Sequence, residues 1–171
     1  MIELILGGAR SGKSRYAEAR AQASNKSVLY IATATALDDE MAARIAHHQQ
    51  QRPQHWQLLE CPLTLSETLA QEAQKDQIIL VDCLTLWLNN QLFHYPHQDF
   101  STLYDALLSS IANAKADIIF VANEVGLGII PLGEISRTFV DEAGRLNQRI
   151  AQAADNVFFI AAGLPLQLKG D

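Results

Sequence analysis

The sequence predicts an α/β fold: a mostly parallel central sheet with helices on both faces, in three layers. Three observations carry that expectation. Five short apolar runs lack polar alternation, the pattern of strands buried on both sides in a parallel sheet. Longer segments of helical spacing separate them, and parallel neighbours are joined through such crossovers. The 171 residues are 49% hydrophobic and 19% charged, an ordinary globular balance. A chain of this length is expected to form one domain, with a core that needs neither disulfides nor a structural metal.

Taken in order, the strand candidates are Ile2–Leu6, Val28–Ala32, Ile78–Val81, Ile118–Ala122 and Val157–Ala161. Helical period marks Lys13–Ala23, Asp39–Gln51, Leu63–Ala73, Leu84–Phe93, Leu103–Ala114 and Phe139–Ala153. Between the fourth and fifth helical patterns, His94–Ser101 is rich in His, Pro and Asp and reads as a surface loop, with His94 and His97 solvated. His55, beside Trp56, has no evident partner. Ligands of such sheets bind outside the carboxyl ends of the strands, so the residues just after each strand are the candidates for chemistry.

Charge and composition exclude several classes. Thirteen Lys and Arg against nineteen Asp and Glu give a net charge of −6, the wrong sign for a nucleic-acid binder. Met1–Leu6 is too short and too acidic for a secretion signal. The uncharged run Asn156–Leu168 falls short of the roughly 20 residues of a membrane span. A soluble, cytoplasmic protein is expected. Cys61 and Cys83 have neither the number nor the spacing of a disulfide framework or zinc site, and read as small buried hydrophobes.

Directly after the first strand comes Gly7-Gly8-Ala9-Arg10-Ser11-Gly12-Lys13-Ser14, a G-x-x-x-x-G-K-[ST] match placed between a strand and a helix. Such a loop curls backbone N–H groups around an anion, and the helix adds its positive end. Lys13 then reaches the β- and γ-phosphates and the Ser14 hydroxyl ligates Mg²⁺. A chance match in a chain of this length is on the order of one in a few hundred. The loop also needs a second Mg²⁺ anchor, usually an acid ending a buried strand. Asp82, after Ile78-Ile79-Leu80-Val81, supplies one; its other reading is the N-cap of the following helix. Glu60, after Leu58-Leu59, is a further acid, or simply a surface carboxylate.

In the helical segment after the second strand, Met41, Ile45 and His48 fall at i, i+4 and i+7, on one face. His47 is turned about 100° away. His48 is therefore the histidine that shares the apolar stripe. A largely neutral imidazole near a triphosphate can attack phosphorus; the alternative is a histidine interacting with the helix C-terminal dipole. Asn123-Glu124-Val125-Gly126-Leu127-Gly128 follows the fourth strand candidate, and its two glycines suggest a sharp turn or a close approach. Arg145 and Arg149 form an i, i+4 pair, either a solvated edge or a phosphate clamp or subunit contact.

Together these stretches resemble a known family. Gly7–Arg15, Tyr30-Ile31-Ala32-Thr33, Asp38-Asp39-Glu40-Met41 with Arg44-Ile45 and His48, Asn123–Gly126 and Gly144-Arg145-Leu146-Asn147-Gln148 are similar to the bifunctional adenosylcobinamide kinase/adenosylcobinamide-phosphate guanylyltransferases of cobalamin assembly. The resemblance runs from residue 2 to about residue 168 and implies a RecA-like P-loop NTPase fold. It implies two reactions. A nucleoside triphosphate, GTP or ATP, phosphorylates the aminopropanol hydroxyl of adenosylcobinamide. GMP is then transferred from GTP to that phosphate through a GMP–histidine intermediate, which maps to His48. The nucleotide site implied by the resemblance comprises Gly7 to Ser14, Ala32, Thr33, Ala34, Gln49, Gln50, Gln51, Arg52, Glu60 and Asp82. Ser14 and Asp82 are the expected Mg²⁺ residues and Lys13 the expected catalytic cation. Glu60 or Asp82 could accept the guanine N1 and N2 hydrogens, and the choice stays open. The partners implied are small molecules only, with no nucleic acid, in a homotrimer. Without the resemblance, the P-loop also suits a monofunctional small-molecule kinase or a non-catalytic nucleotide-binding module.

Overall fold

The computed structural model describes residues 1–35, 39 and 53–170. The helical pattern at 39–51, with His47, His48, Gln49, Gln50, Gln51 and Arg52, lies outside the described residues save for Asp39, which is helical and exposed. Among the described residues the order is β1 (Ile2–Gly7), α1 (Lys13–Ala23), β2 (Val28–Ala32), β3 (Gln57–Glu60), α2 (Leu65–Glu72) and β4 (Ile78–Asp82). Then follow α3 (Leu84–His94), α4 (Phe100–Ala112), β5 (Asp117–Asn123), α5 (Glu134–Ala153), β6 (Asn156–Ala161) and β7 (Leu164–Lys169).

Among the described residues, seven strands form a sheet of order β3-β2-β4-β5-β1-β6-β7. Every pairing is parallel except β6 with β7. The expected α/β architecture with a mostly parallel sheet is therefore present. Alternate residues of each strand face opposite layers. Leu4, Leu6, Leu29, Ile31, Ile79, Val81, Ile118 and Phe120 pack with Leu65, Leu69, Leu84, Trp87, Leu107, Leu146 and Ile150 of α2 to α5. Ile5, Val28, Tyr30, Leu80, Ile119, Val121 and Phe158 meet Ala17 and Ala21 of α1 on the other face. The small alanines let α1 lie close to the sheet, directly behind the loop that it begins.

β3 and β7 were not among the strand candidates. Both are exposed edges: no residue of β7 is buried, and Leu58 in β3 is 44% exposed. Edge strands bury too little apolar surface to show an unbroken hydrophobic run, and Pro165 is tolerated in β7 because it is an edge. The β6–β7 connection turns through Ala162 (φ 51°) and Gly163 (φ 80°), the left-handed pair that a two-residue hairpin requires. The surface loop is shorter than expected. Phe100 and Ser101 belong to α4, because Asp99 caps it by accepting from Ser101 N (3.0 Å) and Thr102 Oγ1 (2.7 Å). His94, His97 and His55 are exposed, and both cysteines are free and buried.

β1 lies between β5 and β6. From β1 the chain moves across β5 and β4 to β2, and later from β5 across β1 to β6. The carboxyl end of β1 is thus the point where connections leave in opposite directions, which is where α/β sheets bind ligands.

Candidate nucleotide and phosphate-transfer site

The loop after β1 is built around positions where a side chain has no room. A Cβ on Gly7 would sit 2.5 Å from Ser11 Oγ and 2.7 Å from Ile160 O. Gly12 holds φ 97°, and a Cβ there would meet Gly163 Cα at 3.2 Å. Arg10 takes a left-handed φ of 56° with its side chain exposed, and Ala9 is exposed beside it. Ser11 N donates to Gly8 O (3.3 Å), closing the turn, and Gly163 N donates to Ser11 O (2.8 Å). The β6–β7 hairpin therefore braces the phosphate-binding loop. That role was not legible in Gly163, whose only sequence signal is a glycine between two apolar runs.

Gly12 is the N-cap of α1, no side chain caps its first turn, and that turn carries no acid. Its N–H groups are left for an anion. The buried Ser11 hydroxyl has no hydrogen-bond partner among the described residues, and a phosphate oxygen in the loop would supply one. Lys13 is only 9% exposed, and its Nζ donates to Gly8 O (3.0 Å) across the mouth of the loop. Burial lowers the Lys13 pKa below its ordinary value. The Cys83 thiol is pushed up to about 12 by burial and is neutral at physiological pH. Asp82 is thus the neighbouring charge that favours the Lys13 ammonium against that burial. Ser14 follows, half-buried in the first turn.

Asp82 ends β4, with only β5 between that strand and β1. It is not the N-cap of α3: that position is Cys83, with no side-chain cap bond. Instead Asp82 Oδ2 accepts from Tyr30 Oη (2.9 Å), which aims the carboxylate from the neighbouring strand. Thr33 ties the same strand ends together. Its N–H donates to Asp82 O (3.2 Å), its hydroxyl donates to Cys83 O (2.7 Å) and accepts from Cys83 N (2.8 Å), and Asn90 Nδ2 donates to its carbonyl (2.8 Å). The Thr33 side chain is fully buried and committed to this clamp, while Ala32 and Ala34 on either side are half-buried. Ala32 pairs in register with both Asp82 and Glu60. Glu60 is exposed at the end of β3, four strand spacings or roughly 19 Å from β1.

Among the described residues no group of three His, Cys, Asp or Glu could hold a metal ion. Mg²⁺ in a phosphate-transfer site requires no such group, since it takes one or two protein oxygens and fills its remaining positions with water and phosphate. The donor set present, one hydroxyl and one carboxylate flanking a lysine, fits that ion. The structure thus brings Gly7 to Ser14, Ala32 to Ala34 and Asp82 to one end of the sheet, with Glu60 at its margin. Placement of His48, Gln49, Gln50, Gln51 and Arg52 lies outside the described residues.

The loop after β5 completes this edge. Asn123 pairs with Gly7 in register, and Glu124 N donates to Gly7 O (3.1 Å). Asn123 N donates to Thr85 Oγ1 (2.7 Å), and Asn147 Nδ2 to Asn123 O (3.2 Å). The sharp turn expected at the two glycines is not made by left-handed backbone, since neither Gly126 nor Gly128 has positive φ. Gly126 matters for close approach: its N–H donates to Glu124 Oε1 (3.1 Å), where a Cβ would stand 3.2 Å from that oxygen. Arg145 is exposed and pairs with Glu142, and Arg149 pairs with Asp105, so both are occupied on the helix edge.

Solved structures share this architecture. The RadB recombinase aligns with a TM-score of 0.53 at 12% identity, over 92% of this chain and 73% of that one. A Pyrococcus horikoshii OT3 protein aligns at 0.57 and 10% identity, over 99% and 86%. The ATP synthase subunit NeqB of Nanoarcheaum equitans aligns at 0.52 and 14% identity, over 92% and 45%. At these identities the likeness is one of fold. Sequence relatives are much nearer. The bifunctional adenosylcobalamin biosynthesis protein CobP of Pseudomonas aeruginosa is 53% identical over 171 residues, covering 100% of this chain and 99% of that protein. The bifunctional adenosylcobalamin biosynthesis proteins CobU of Escherichia coli and Salmonella typhimurium are 41% and 42% identical, each covering 99% of this chain and all of the relative. The profile of the family described as cobinamide kinase/cobinamide phosphate guanyltransferase matches residues 3–168, and this chain belongs to that family.

Proposed function

We propose that the protein phosphorylates adenosylcobinamide with GTP or ATP and then transfers GMP from GTP to the product phosphate, releasing pyrophosphate. The observation that carries this reading is a phosphate loop with an uncapped helix end, a buried lysine and a facing carboxylate, in a chain matched along almost its whole length by this family. Phosphoryl transfer is mostly positioning and charge neutralisation. Lys13 and the loop N–H groups serve the β- and γ-phosphates, and Ser14 with Asp82 would hold Mg²⁺. When bound, that ion neutralises developing charge on the transferred group. Asp82 suits the metal because its charge already acts on Lys13. Glu60, far along the sheet edge, is the acid left to accept the guanine N1 and N2 hydrogens.

Guanylyl transfer requires attack at the α-phosphorus, and a nucleophile from outside the loop. We assign that role to His48 by motif and by its i, i+4, i+7 spacing with Met41 and Ile45 in the sequence, and Gln49 to Arg52 and Ala32 to Ala34 are the residues that would line the nucleotide. Its lone pair attacks the α-phosphorus, the α–β bridging bond breaks, and pyrophosphate leaves. The phosphate of adenosylcobinamide phosphate then takes the GMP from the imidazole. Incubation with Mg²⁺ and GTP labelled at the α-phosphate, followed by a denaturing gel, tests this. The expected result is an acid-labile, alkali-stable band in wild type that His48→Ala lacks. Labelling retained in the variant places the nucleophile elsewhere, and an unlabelled wild type leaves a kinase alone.

The working unit is a homotrimer in the cytoplasm. Support for self-association comes from the run after Glu124, in which Leu127, Ile129, Ile130, Leu132 and Ile135 are 76–98% exposed, and clustered exposed apolar side chains mark interaction surfaces. No helix among the described residues is long and apolar enough to cross a membrane.

A further inference from the structure

We propose that Glu124 is the general base of the kinase half-reaction, accepting the proton of the attacking hydroxyl, and that it takes no part in guanylyl transfer. The inference rests on the proposed function. A hydroxyl nucleophile carries a proton that must leave as its oxygen bonds to phosphorus. In the balanced step, that oxygen bonds to the γ-phosphorus, the bridging β–γ bond breaks, and the nucleoside diphosphate departs. The proton passes to a carboxylate and then to water. The second reaction has no such need. Its nucleophiles are an imidazole lone pair and a phosphate monoester, whose second proton is largely gone at neutral pH because its pKa is about 6. A base is therefore required in one half-reaction only.

Among the described residues, acids stand at the carboxyl ends of three strands on one side of β1: Glu60 ends β3, Asp82 ends β4 and Glu124 follows β5. Asp82 is engaged by the Tyr30 hydroxyl and suits the metal. Glu60 ends the outermost strand, furthest from the loop. Glu124 follows the strand directly beside β1, and its own N–H is bonded to Gly7, the first residue of the phosphate loop. The segment is built to hold it there. Thr85 and Asn147 fix the peptide groups of Asn123, and Gly126 N–H fixes Oε1. Oε1 is thus oriented by the backbone, while Oε2 takes no donor from a described residue and is the acceptor left for substrate. Glu124 is half-buried, at the end of the strand that lies between β1 and the strand of the metal-side acid.

The test uses the full-length enzyme with Mg²⁺ and compares wild type, Glu124→Gln and Glu124→Asp in the two half-reactions separately. Phosphorylation of adenosylcobinamide is read with ATP and with GTP, and guanylyl transfer is read from supplied adenosylcobinamide phosphate. The expected result is a fall of about 100-fold or more in kinase kcat for Glu124→Gln, with nucleotide KM and guanylyl transfer within about threefold of wild type. Glu124→Asp should recover part of the kinase rate. Intact guanylyl transfer also shows that the variant is folded. Kinase activity of Glu124→Gln near wild type overturns the inference, as does an equal loss in both half-reactions, which would mark a structural role. A wild type that phosphorylates nothing overturns the proposed function together with this inference, whereas an active wild type with an unaffected variant overturns the inference alone.

Discussion

At the scale of single residues, charge is used where the sheet needs fastening. Glu3 is fully buried in β1 and is met by Arg20 of α1, whose Nε donates to Glu3 Oε2 (2.8 Å) while the guanidinium stacks over Phe158. The hydrogen bond that Arg20 donates to Glu3 raises the Arg20 pKa further. Asp117, at the start of β5, accepts from the N-terminal ammonium (2.7 Å) and from Lys26 Nζ (2.9 Å), and Lys26 also reaches Asp76. Burial alone would raise the Asp117 carboxyl, but its two cationic partners outweigh that and hold it below the usual 3.8. A depressed carboxylate stabilises the fold above its unfolded value, and the contribution disappears as pH falls through the folded one. Asp117→Asn should therefore be less stable than wild type by about 1–2 kcal/mol near neutrality. Urea titrations should show that gap closing below pH 3.8. A gap of constant size through that range would mean the loss comes from shape, not charge.

At the scale of elements, caps and turns decide where helices start and which loops stay open. Asp99 starts α4 three residues earlier than the apolar period indicated, because its carboxylate satisfies the Ser101 N–H and the Thr102 hydroxyl. Asp99→Ala should lower the midpoint of a denaturant titration, with both half-reactions unchanged. An unshifted midpoint would show that the cap is solvated and idle. α1 offers the contrast: its start is a left-handed glycine with no side-chain cap, leaving the N–H groups that a phosphate needs. The same kind of local rule gives opposite results at the two helix ends, because one is closed by a carboxylate and the other is held open by glycine.

At the scale of the whole molecule, the run from Leu127 to Ile135 and the outer strand β7 put large apolar side chains in water, with Ile129 and Leu132 each 98% exposed. Contact between copies of the chain would cover this surface. Light scattering behind a sizing column should give three times the 18.9 kDa chain mass. The double substitution Ile129→Asp, Leu132→Asp should shift that mass to one chain. A single-chain mass for the unaltered protein would remove the trimer from the proposal.

Much of the architecture was legible because its signals are local. Unbroken β-branched runs marked β1, β2, β4, β5 and β6, since a strand covered on both faces must be apolar at every position. Lys13–Ala23 matched α1 residue for residue, and the eight-residue phosphate loop announced itself by spacing. The family was likewise readable from Gly7–Arg15, Asn123–Gly126 and Gly144–Gln148. Long-range packing decided the rest. β3 and β7 escaped notice because edges bury too little to leave a pattern. Asp82 could be an N-cap or a strand-end acid on sequence alone, and the Tyr30 hydroxyl, 52 residues away, took it from the first reading. Glu124 was one polar residue in a glycine-bearing loop until the sheet order set β5 beside β1 and bonded its N–H to Gly7. Sequence alone could determine the loop that meets a phosphate, because that loop is made of neighbours in the chain. Only the tertiary structure could decide which acids stand beside it, because they arrive on separate strands whose order is set by packing both faces of the sheet.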